Sequence, residues 1–137
     1  MQILIFRLGE ERYGLEVEKI QEVLESPILH YIPRASRHLL GAVNFHGNIL
    51  PVLDLASFLG FAREQRDRRV IILASGLCSL ALAVTAVGRI VTCDADALLP
   101  FQQEQQPGCH IRAVLSREEE MINMLDAVRL LTSLEKT

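Results

Sequence analysis

Apolar residues in this chain fall in many short runs, separated at close spacing by turn residues. The most informative segment is 41–60, GAVNFHGNILPVLDLASFLG, in which two apolar strands flank a turn at His46-Gly47-Asn48. Gly47 supplies the positive φ that such a turn needs. The second strand runs directly into a short helix, for which Asp54 is the predicted N-cap and Gly60 the left-handed residue that ends it.

The same pattern predicts further short strands, whose close spacing is typical of a β-barrel or β-sandwich. They cover residues 2–8, 13–17, 70–74, 77–87, 90–93, 109–115 and 121–125, and residues 28–32 form an extended piece. The helical predictions are a brief helix or turn at 16–25, one helical turn at 36–40, and a C-terminal helix from 127 to about 134 capped by Asp126. The sequence therefore predicts a mainly β protein with short helices.

Two hairpin–helix segments resemble each other and raise the possibility of an internal repeat. Ala42-Val43 leads through a turn to Leu53-Asp54 and a helix, and Ala113-Val114 leads in the same way to Leu125-Asp126 and a second helix. In this alignment the second copy is one residue longer than the first. Either the units are duplicated or the similarity arose by chance. Duplication predicts two similar small barrels packed together, with a groove between them.

Composition narrows the classes of function. The 137 residues suit one domain, or two small halves that share a core. Half of the residues are apolar, but aromatic residues make up only 5% and Trp is absent, so the core must be aliphatic. A net charge of −3 without a basic stripe argues against a nucleic-acid partner. The Arg-rich segment 63–69 also contains Glu64 and Asp67, and we predict that it is a solvated loop.

The sequence also predicts where the protein resides. No apolar run approaches the roughly 20 residues that a membrane helix needs, so we expect no direct membrane insertion. The chain begins with an apolar strand and not with a basic leader. Its three cysteines are odd in number and far apart, which predicts free, mostly buried thiols. These features indicate a cytoplasmic protein.

No group of residues has the spacing of a catalytic, metal or cofactor site. Four histidines and three cysteines are scattered, without the helical or short-range spacing that prepares a zinc site. Cys109 and His110 are adjacent, so in a strand they point to opposite faces and cannot form a nucleophile–base pair. Helix capping accounts for Asp54 and Asp126. We therefore expect no enzyme activity, no metal and no cofactor.

Several separated motifs occur in a characteristic order. They are Phe6-x-Leu8-Gly9, Tyr13-Gly14, Ile20-Gln21-Glu22-Val23, Ile32-Pro33, Gly41-x-Val43-Asn44-Phe45-x-Gly47 and Pro51-Val52-x-Asp54-Leu55. In this order they resemble the CheW-like domain, the adaptor of bacterial chemotaxis arrays that is also found as the regulatory domain of the CheA kinase. Beyond Val70 the resemblance rests on pattern and length.

The resemblance implies a fold, a function and a set of contact residues. The fold would be a single domain, residues 1–137, made of two intertwined SH3-like five-stranded β-barrels. The function would be that of a non-enzymatic adaptor that couples the cytoplasmic tip of a chemoreceptor to the regulatory domain of a CheA-type histidine kinase, through an apolar groove between the barrels. The positions that match the family's partner contacts are Ile20, Glu22, Gly41, His46, Val70, Val87 and Ile90.

These residue types suit an interface. Ile20, Val87 and Ile90 offer apolar anchors, and Glu22 offers a charge-assisted hydrogen bond. A glycine such as Gly41 lets a partner or a neighbouring strand approach the backbone closely. For each apolar position plain core packing is the alternative, and Val70 in particular begins a predicted strand.

Three positions depart from the family pattern. His46 stands where Arg is common, Thr85-Ala86 where Asp-Gly is usual, and Arg112 where a Gly is typical. His lacks the permanent charge and the rigid donor fork of Arg, so a receptor contact at His46 would be weakened or altered. These departures leave open a scaffold of a non-flagellar pathway, such as twitching motility or second-messenger control. A small enzyme or a small-ligand-binding barrel is the alternative from another class, and it would require a closed polar pocket.

Overall fold

A computed structural model describes residues 1–62, 65–74, 80–100 and 110–135, and these residues form two β-sheets with two α-helices. The strands are β1 (Gln2–Leu8), β2 (Glu11–Glu16), β3 (Ile20–Leu24), β4 (Leu39–Phe45), β5 (Asn48–Asp54), β6 (Val70–Leu73), β7 (Ala81–Ala83), β8 (Ala86–Thr92), β9 (Leu98–Pro100), β10 (Ile111–Arg117) and β11 (Glu120–Leu125). The α-helices are α1 (Leu55–Phe58) and α2 (Ala127–Glu135), and short 3-10 helices cover Val17–Lys19 and Ala95–Ala97.

The two sheets form two barrels. Barrel A has six strands in the order β8-β1-β2-β11-β10-β9, and barrel B has five in the order β3-β6-β7-β5-β4. Barrel B is one stretch of sequence, whereas barrel A joins the N-terminal hairpin to the C-terminal half of the chain. The chain crosses between them at Thr85, whose N–H donates to the carbonyl of Arg7 (3.0 Å) and whose hydroxyl accepts from the N–H of Gly9 (2.9 Å). The predicted mainly β fold of two intertwined barrels is confirmed, although barrel A has a sixth strand, β9, beyond the five expected.

The barrels contain the same hairpin at equivalent places. Each hairpin has one bulged residue near its open end, between the pairs Leu39–Leu53 and Gly41–Val52 in barrel B and between Ile111–Leu125 and Ala113–Met124 in barrel A. Each closes with two residues of positive φ, His46-Gly47 and Glu118-Glu119. Aligned on bulge and turn, the hairpins are equal in length. The one-residue difference inferred from the sequence was wrong, because it matched Ala-Val dipeptides and not ladder register.

The equivalence extends to the other strands. The parallel pairing of β5 with β7, Val52 opposite Ala81, corresponds to that of β11 with β2, Met124 opposite Gly14. The edge strands β3 and β8 each bulge where they pair with β6 and β1. The short strand β9 has only a single bridge as its counterpart, His30 with Ala42.

Three apolar clusters hold the barrels together. The interior of barrel B contains Val43, Leu50, Val52, Val70, Ile72, Ala81 and Ala83, and that of barrel A contains Ile3, Ile5, Val91, Ala113, Leu115, Ile122 and Met124. A larger central cluster takes residues from both sheets and both helices, including Leu4, Phe6, Leu15, Leu53, Leu55, Ile71, Leu82, Leu125 and Leu130. The largest apolar burial therefore lies between the barrels, and we expect them to unfold together.

Equivalent aspartates begin the two helices, as predicted. Asp54 Oδ1 accepts from the N–H of Ser57 (3.3 Å), and Asp126 Oδ1 accepts from the N–H of Arg129 (3.1 Å). The backbone N–H of each aspartate donates to the carbonyl of the histidine before its hairpin, 2.7 Å from His38 and 2.7 Å from His110. These bonds tie both ends of each hairpin together.

Some local predictions were wrong. The brief helix or turn predicted at 16–25 is confirmed only for the 3-10 turn Val17–Lys19; the rest forms strand β3, because pairing with β6 overrides the helical spacing of the apolar residues. The single strand predicted at 77–87 contains the break at Thr85, and residues 90–93 belong to β8. Ser36 makes a turn and caps no helix, and the strand β9 was not predicted. Residues 63, 64, 75–79, 101–109, 136 and 137, with Cys78 and Cys109, lie outside the described residues.

Candidate partner-binding surface

Four of the predicted contact residues lie on two equivalent edge strands, one in each barrel. Ile20 and Glu22 belong to β3, and Val87 and Ile90 belong to β8. Ile20 pairs with Leu73 and Val87 with Phe6, at the equivalent bulge of each barrel. Ile20 and Val87 are therefore counterparts. Both are half-buried and pack against the central cluster, so each exposes only part of its side chain at the margin of the junction between the barrels.

Val87 is held by an ion pair that extends from barrel B. Its N–H donates to Asp67 Oδ2 (2.8 Å), and its carbonyl accepts from Arg69 Nη2 (3.2 Å). Arg69 also donates to both carboxylate oxygens of Asp67, at 3.1 and 3.0 Å. Because the edge strand β8 is fixed from the neighbouring barrel, Val87 is presented in one position.

The electrostatics of Asp67 reflect this arrangement. Burial by itself would raise the pKa of the Asp67 carboxyl, but hydrogen bonds from the Arg69 side chain and from the N–H groups of Val87 and Arg69, with the charge of Arg69, lower it to about 2. Asp67 is thus ionised at neutral pH. The sequence predicts a solvated loop for segment 63–69. Asp67 and Arg69 were not predicted as functional residues, because the sequence pattern of this segment does not indicate contacts with strand β8.

Glu22 and Ile90 are exposed on their strands. Ile90 is 55% exposed, and Met121 on β11 is 57% exposed. An isolated exposed apolar side chain is ordinary on a protein surface, so exposure by itself does not identify an interface. Ile90 differs from Met121 in its place, since it lies on the same edge strand as Val87.

Gly41 and Val70 are buried. Gly41 has φ +148°, and a Cβ at this position would lie 2.6 Å from the carbonyl oxygen of His30. The sequence predicts that either a partner or a neighbouring strand approaches Gly41 closely. In the structure the neighbouring segment at His30 makes this approach. Val70 is 4% exposed and belongs to the interior cluster of barrel B. These positions can support a binding surface, but they offer little area for direct contact.

His46 lies apart from the edge strands, in the turn between β4 and β5. It is exposed with φ +51°, and its ring centroid is 4.3 Å from that of Phe45. Asn44 Oδ1 accepts from the N–H of Gly47 (2.9 Å) and fixes the turn. The structure thus gives the seven predicted contact residues three settings: two edge strands, the barrel interior and a hairpin tip.

Two histidine–serine hydrogen bonds occur near the helices, and neither was predicted. His38 Nδ1 lies 3.1 Å from Ser57 Oγ, and His110 Nε2 lies 2.9 Å from Ser133 Oγ. Both imidazole rings meet Phe58 edge-on, with centroids 5.4 and 5.9 Å from that of the phenyl ring. Within the described part of the chain, neither imidazole has a carboxylate hydrogen-bonded to its other nitrogen, so the orienting group of a catalytic triad is missing there.

The remaining chemistry of the described residues is sparse. Burial lowers the pKa of His110, and nearby Arg129 adds to this effect while the charge of Asp126 opposes it. Among residues 1–62, 65–74, 80–100 and 110–135, no three His, Cys, Asp or Glu side chains are grouped so that they could hold a metal ion. Cys93 is a free thiol, as predicted, but it is partly exposed and not buried, because it directly follows the edge strand β8.

Two SH3-like barrels that share a core and carry partly exposed apolar edge strands define a protein-interaction module. The chain belongs to the CheW family: the family model described as CheW-like domain matches residues 2–135. It is therefore an adaptor, or scaffold, of chemotaxis-type signalling.

Known proteins agree with this assignment. Protein FrzA of Myxococcus xanthus is 32% identical over 95% of this chain and 84% of its own length. A probable chemotaxis protein CheW of Rhizobium etli is 26% identical, with 98% and 89% covered. The crystal structure of the scaffolding protein TtCheW from Thermoanaerobacter tengcongensis superposes with a TM-score of 0.81 at 26% identity, covering 90% of this chain and 87% of that one. None of the helices in the described part of this chain is long and apolar enough to span a membrane.

Proposed function

We propose that the whole chain acts as one cytoplasmic domain that couples a chemoreceptor to a CheA-type histidine kinase without catalysing a reaction itself. Binding both partners raises their effective concentration, and a bias in the receptor reaches the kinase through the shared scaffold. The observation that carries this proposal is the pair of equivalent edge strands β3 and β8 at the junction of the barrels. The ion pair of Asp67 and Arg69 supports it, because a fixed edge loses less conformational entropy on binding.

We propose a contact surface centred on Ile90 and Glu22, the exposed residues of these strands. The exposed parts of the Ile20 and Val87 side chains lie between these two residues and the core. Apolar anchors contribute most of the binding energy in such interfaces, whereas an exposed carboxylate mainly affects orientation and association rate. Gly41 and Val70 act indirectly in this proposal, by shaping barrel B, and His46 contributes a separate contact at the hairpin tip.

Isothermal titration calorimetry against the regulatory domain of the co-occurring kinase, and against a soluble receptor-tip fragment, tests this surface. We expect Ile90→Asp to weaken binding of at least one partner tenfold or more, about 1.4 kcal/mol. Met121→Asp is the matched control, because Met121 is equally exposed on a strand away from the proposed surface. Glu22→Lys should weaken binding less, with Glu10→Lys as its control. Equal effects of the Ile90 and Met121 variants would refute the location of the surface.

A second candidate is a scaffold for a pathway other than flagellar chemotaxis. It is favoured by the similarity to FrzA and by a further relative, Protein PilI of Pseudomonas aeruginosa, which is 28% identical over 83% of this chain and 66% of its own length. The imidazole of His46 in place of the usual guanidinium is consistent with a different receptor. Affinity capture with this chain, followed by His46→Arg, distinguishes the two. A flagellar-type receptor should bind the Arg variant more tightly than the original protein.

A further inference from the structure

Barrel B has an open cavity at one end. Its volume is about 280 Å³, and its lining includes Val52, Arg66, Asp67, Arg68, Val70 and Ala83. Val52, Val70 and Ala83 belong to the interior cluster of the barrel, so the floor of the cavity is aliphatic. Pockets for whole small-molecule ligands usually measure about 300–1,000 Å³. This cavity lies just below that range, which suits a single side chain better than a cofactor.

The equivalent place in barrel A is filled by the protein itself. Ala83 is the residue opposite Asp54 in the parallel pairing of β7 with β5. Continuing the register of β2 and β11 places Glu16 opposite Asp126, so Glu16 occupies in barrel A the position that Ala83 occupies in barrel B. Glu16 is 7% exposed and lies on the same face of β2 as Gly14, where a Cβ would meet the barrel A interior at Ile3, Ile122 and Met124. Its side chain therefore fills in barrel A the place that Ala83 leaves open in barrel B.

Barrel A holds the Glu16 carboxylate with two cations. Arg112 Nη2 contacts Glu16 Oε1, and Lys19 Nζ lies 3.7 Å from Glu16 Oε2. Arg112 stands at the bulge, where barrel B has the apolar Leu40. One barrel thus contains a complete carboxylate site with its own glutamate in place, and the other has neither the acid nor the cation of that pair.

Barrel B instead has two arginines from another segment beside its cavity. Arg66 and Arg68 are exposed, and neither has a hydrogen-bond or ion-pair partner among the described residues. Asp67, the acidic residue in the lining, is bound by Arg69, and the charge of Glu25 also acts on Arg69. The cavity therefore combines an aliphatic floor with two exposed guanidinium groups in its lining, and guanidinium groups bind carboxylates most strongly.

We infer that the cavity of barrel B binds a glutamate side chain from an acidic segment of a partner protein. The methylene groups lie against Val52, Val70 and Ala83, and the carboxylate accepts from Arg66 and Arg68, as the carboxylate of Glu16 accepts from Arg112 in barrel A. This site does not depend on the adaptor function proposed above, since it rests on the equivalence of the two barrels and not on the edge strands.

NMR titration of the full chain with the peptide acetyl-Ala-Glu-Ala-amide tests the inference, with acetyl-Ala-Gln-Ala-amide as the matched ligand. We expect saturable shifts at the amides of Val52, Val70 and Ala83, and at least tenfold weaker binding of the Gln peptide. The double variant R66Q/R68Q should abolish these shifts. R7Q/R89Q, which removes the same charge from exposed arginines elsewhere, should retain them. Equal binding of the two peptides, no shifts in barrel B, or equal loss in both double variants would overturn the inference.

Discussion

Glu16 and Arg112 can be exchanged for the residues that barrel B carries at the equivalent positions, Ala83 and Leu40. Glu16→Ala removes the carboxylate that pairs with Arg112. The Arg112 side chain is 31% exposed, and its Nε has no hydrogen-bond partner among the described residues even in the original protein. Arg112→Leu leaves a buried carboxylate with only Lys19 beside it. We expect each single variant to lose about 2 kcal/mol of unfolding free energy, less than for a fully buried pair because solvent screens the arginine.

The double variant E16A/R112L should differ from the original protein by no more than about 1 kcal/mol, since it replaces both charges by an apolar pair that barrel B already accommodates. The cycle then has a coupling energy of about 3 kcal/mol. Urea unfolding followed by circular dichroism measures all four free energies. If the double variant loses about 4 kcal/mol, the sum of the singles, the two barrel ends are not equivalent and the reasoning fails.

Three further predictions follow from single residues. The pKa of Asp67 is lowered to about 2, so its contribution to the unfolding free energy is present above about pH 4 and is lost as the pH falls toward 2. When this free energy is measured across that pH range, the original protein should lose about 1–2 kcal/mol more than Asp67→Asn. The pKa of His110 is lowered by burial, so the native state binds fewer protons and stability should fall as the pH drops below about 6.5; urea unfolding at pH 7.5 and 5.5 should show a smaller fall for His110→Gln. Gly41→Ala should lower the unfolding free energy by at least about 3 kcal/mol, because the new Cβ meets the carbonyl of His30. Gly47→Ala should lower it by only about 1–2 kcal/mol, because Gly47 has positive φ but open space around it. Thermal unfolding measures both losses, and equal losses would refute the steric argument.

Local chemistry made part of this fold predictable. The segment 41–60 contains its own strand pattern, turn glycine and cap, and the structure has all three: Asp54 caps α1 and Gly47 has positive φ. Strand β3 could not be identified in this way, because its apolar spacing also fits a helix and only pairing with β6 decides between them. The break at Thr85 depends on contacts with Arg7 and Gly9, which are far away in sequence.

The candidate surface was also only partly predictable from the sequence. A family resemblance marks positions but does not distinguish exposed from supporting residues, so Ile90 on the surface and Val70 in the interior were predicted together. Asp67 and Arg69 were missed because their importance comes from Val87, a residue of the other barrel. In the sequence the equivalence of the barrels is visible only as a weak internal repeat, because the two barrels share ladder register and bulge position more than residue identity.

Receptor-coupled kinase activity tests the central claim most directly. Receptor-containing membranes, the kinase and this chain are combined, and phosphate incorporation into the kinase is followed with and without the chain. We predict that the chain raises receptor-controlled phosphorylation, that Ile90→Asp loses this effect, and that Met121→Asp retains it. If the chain leaves kinase activity unchanged while binding both partners, or if the two variants behave alike, coupling through the edge strands at the barrel junction is contradicted.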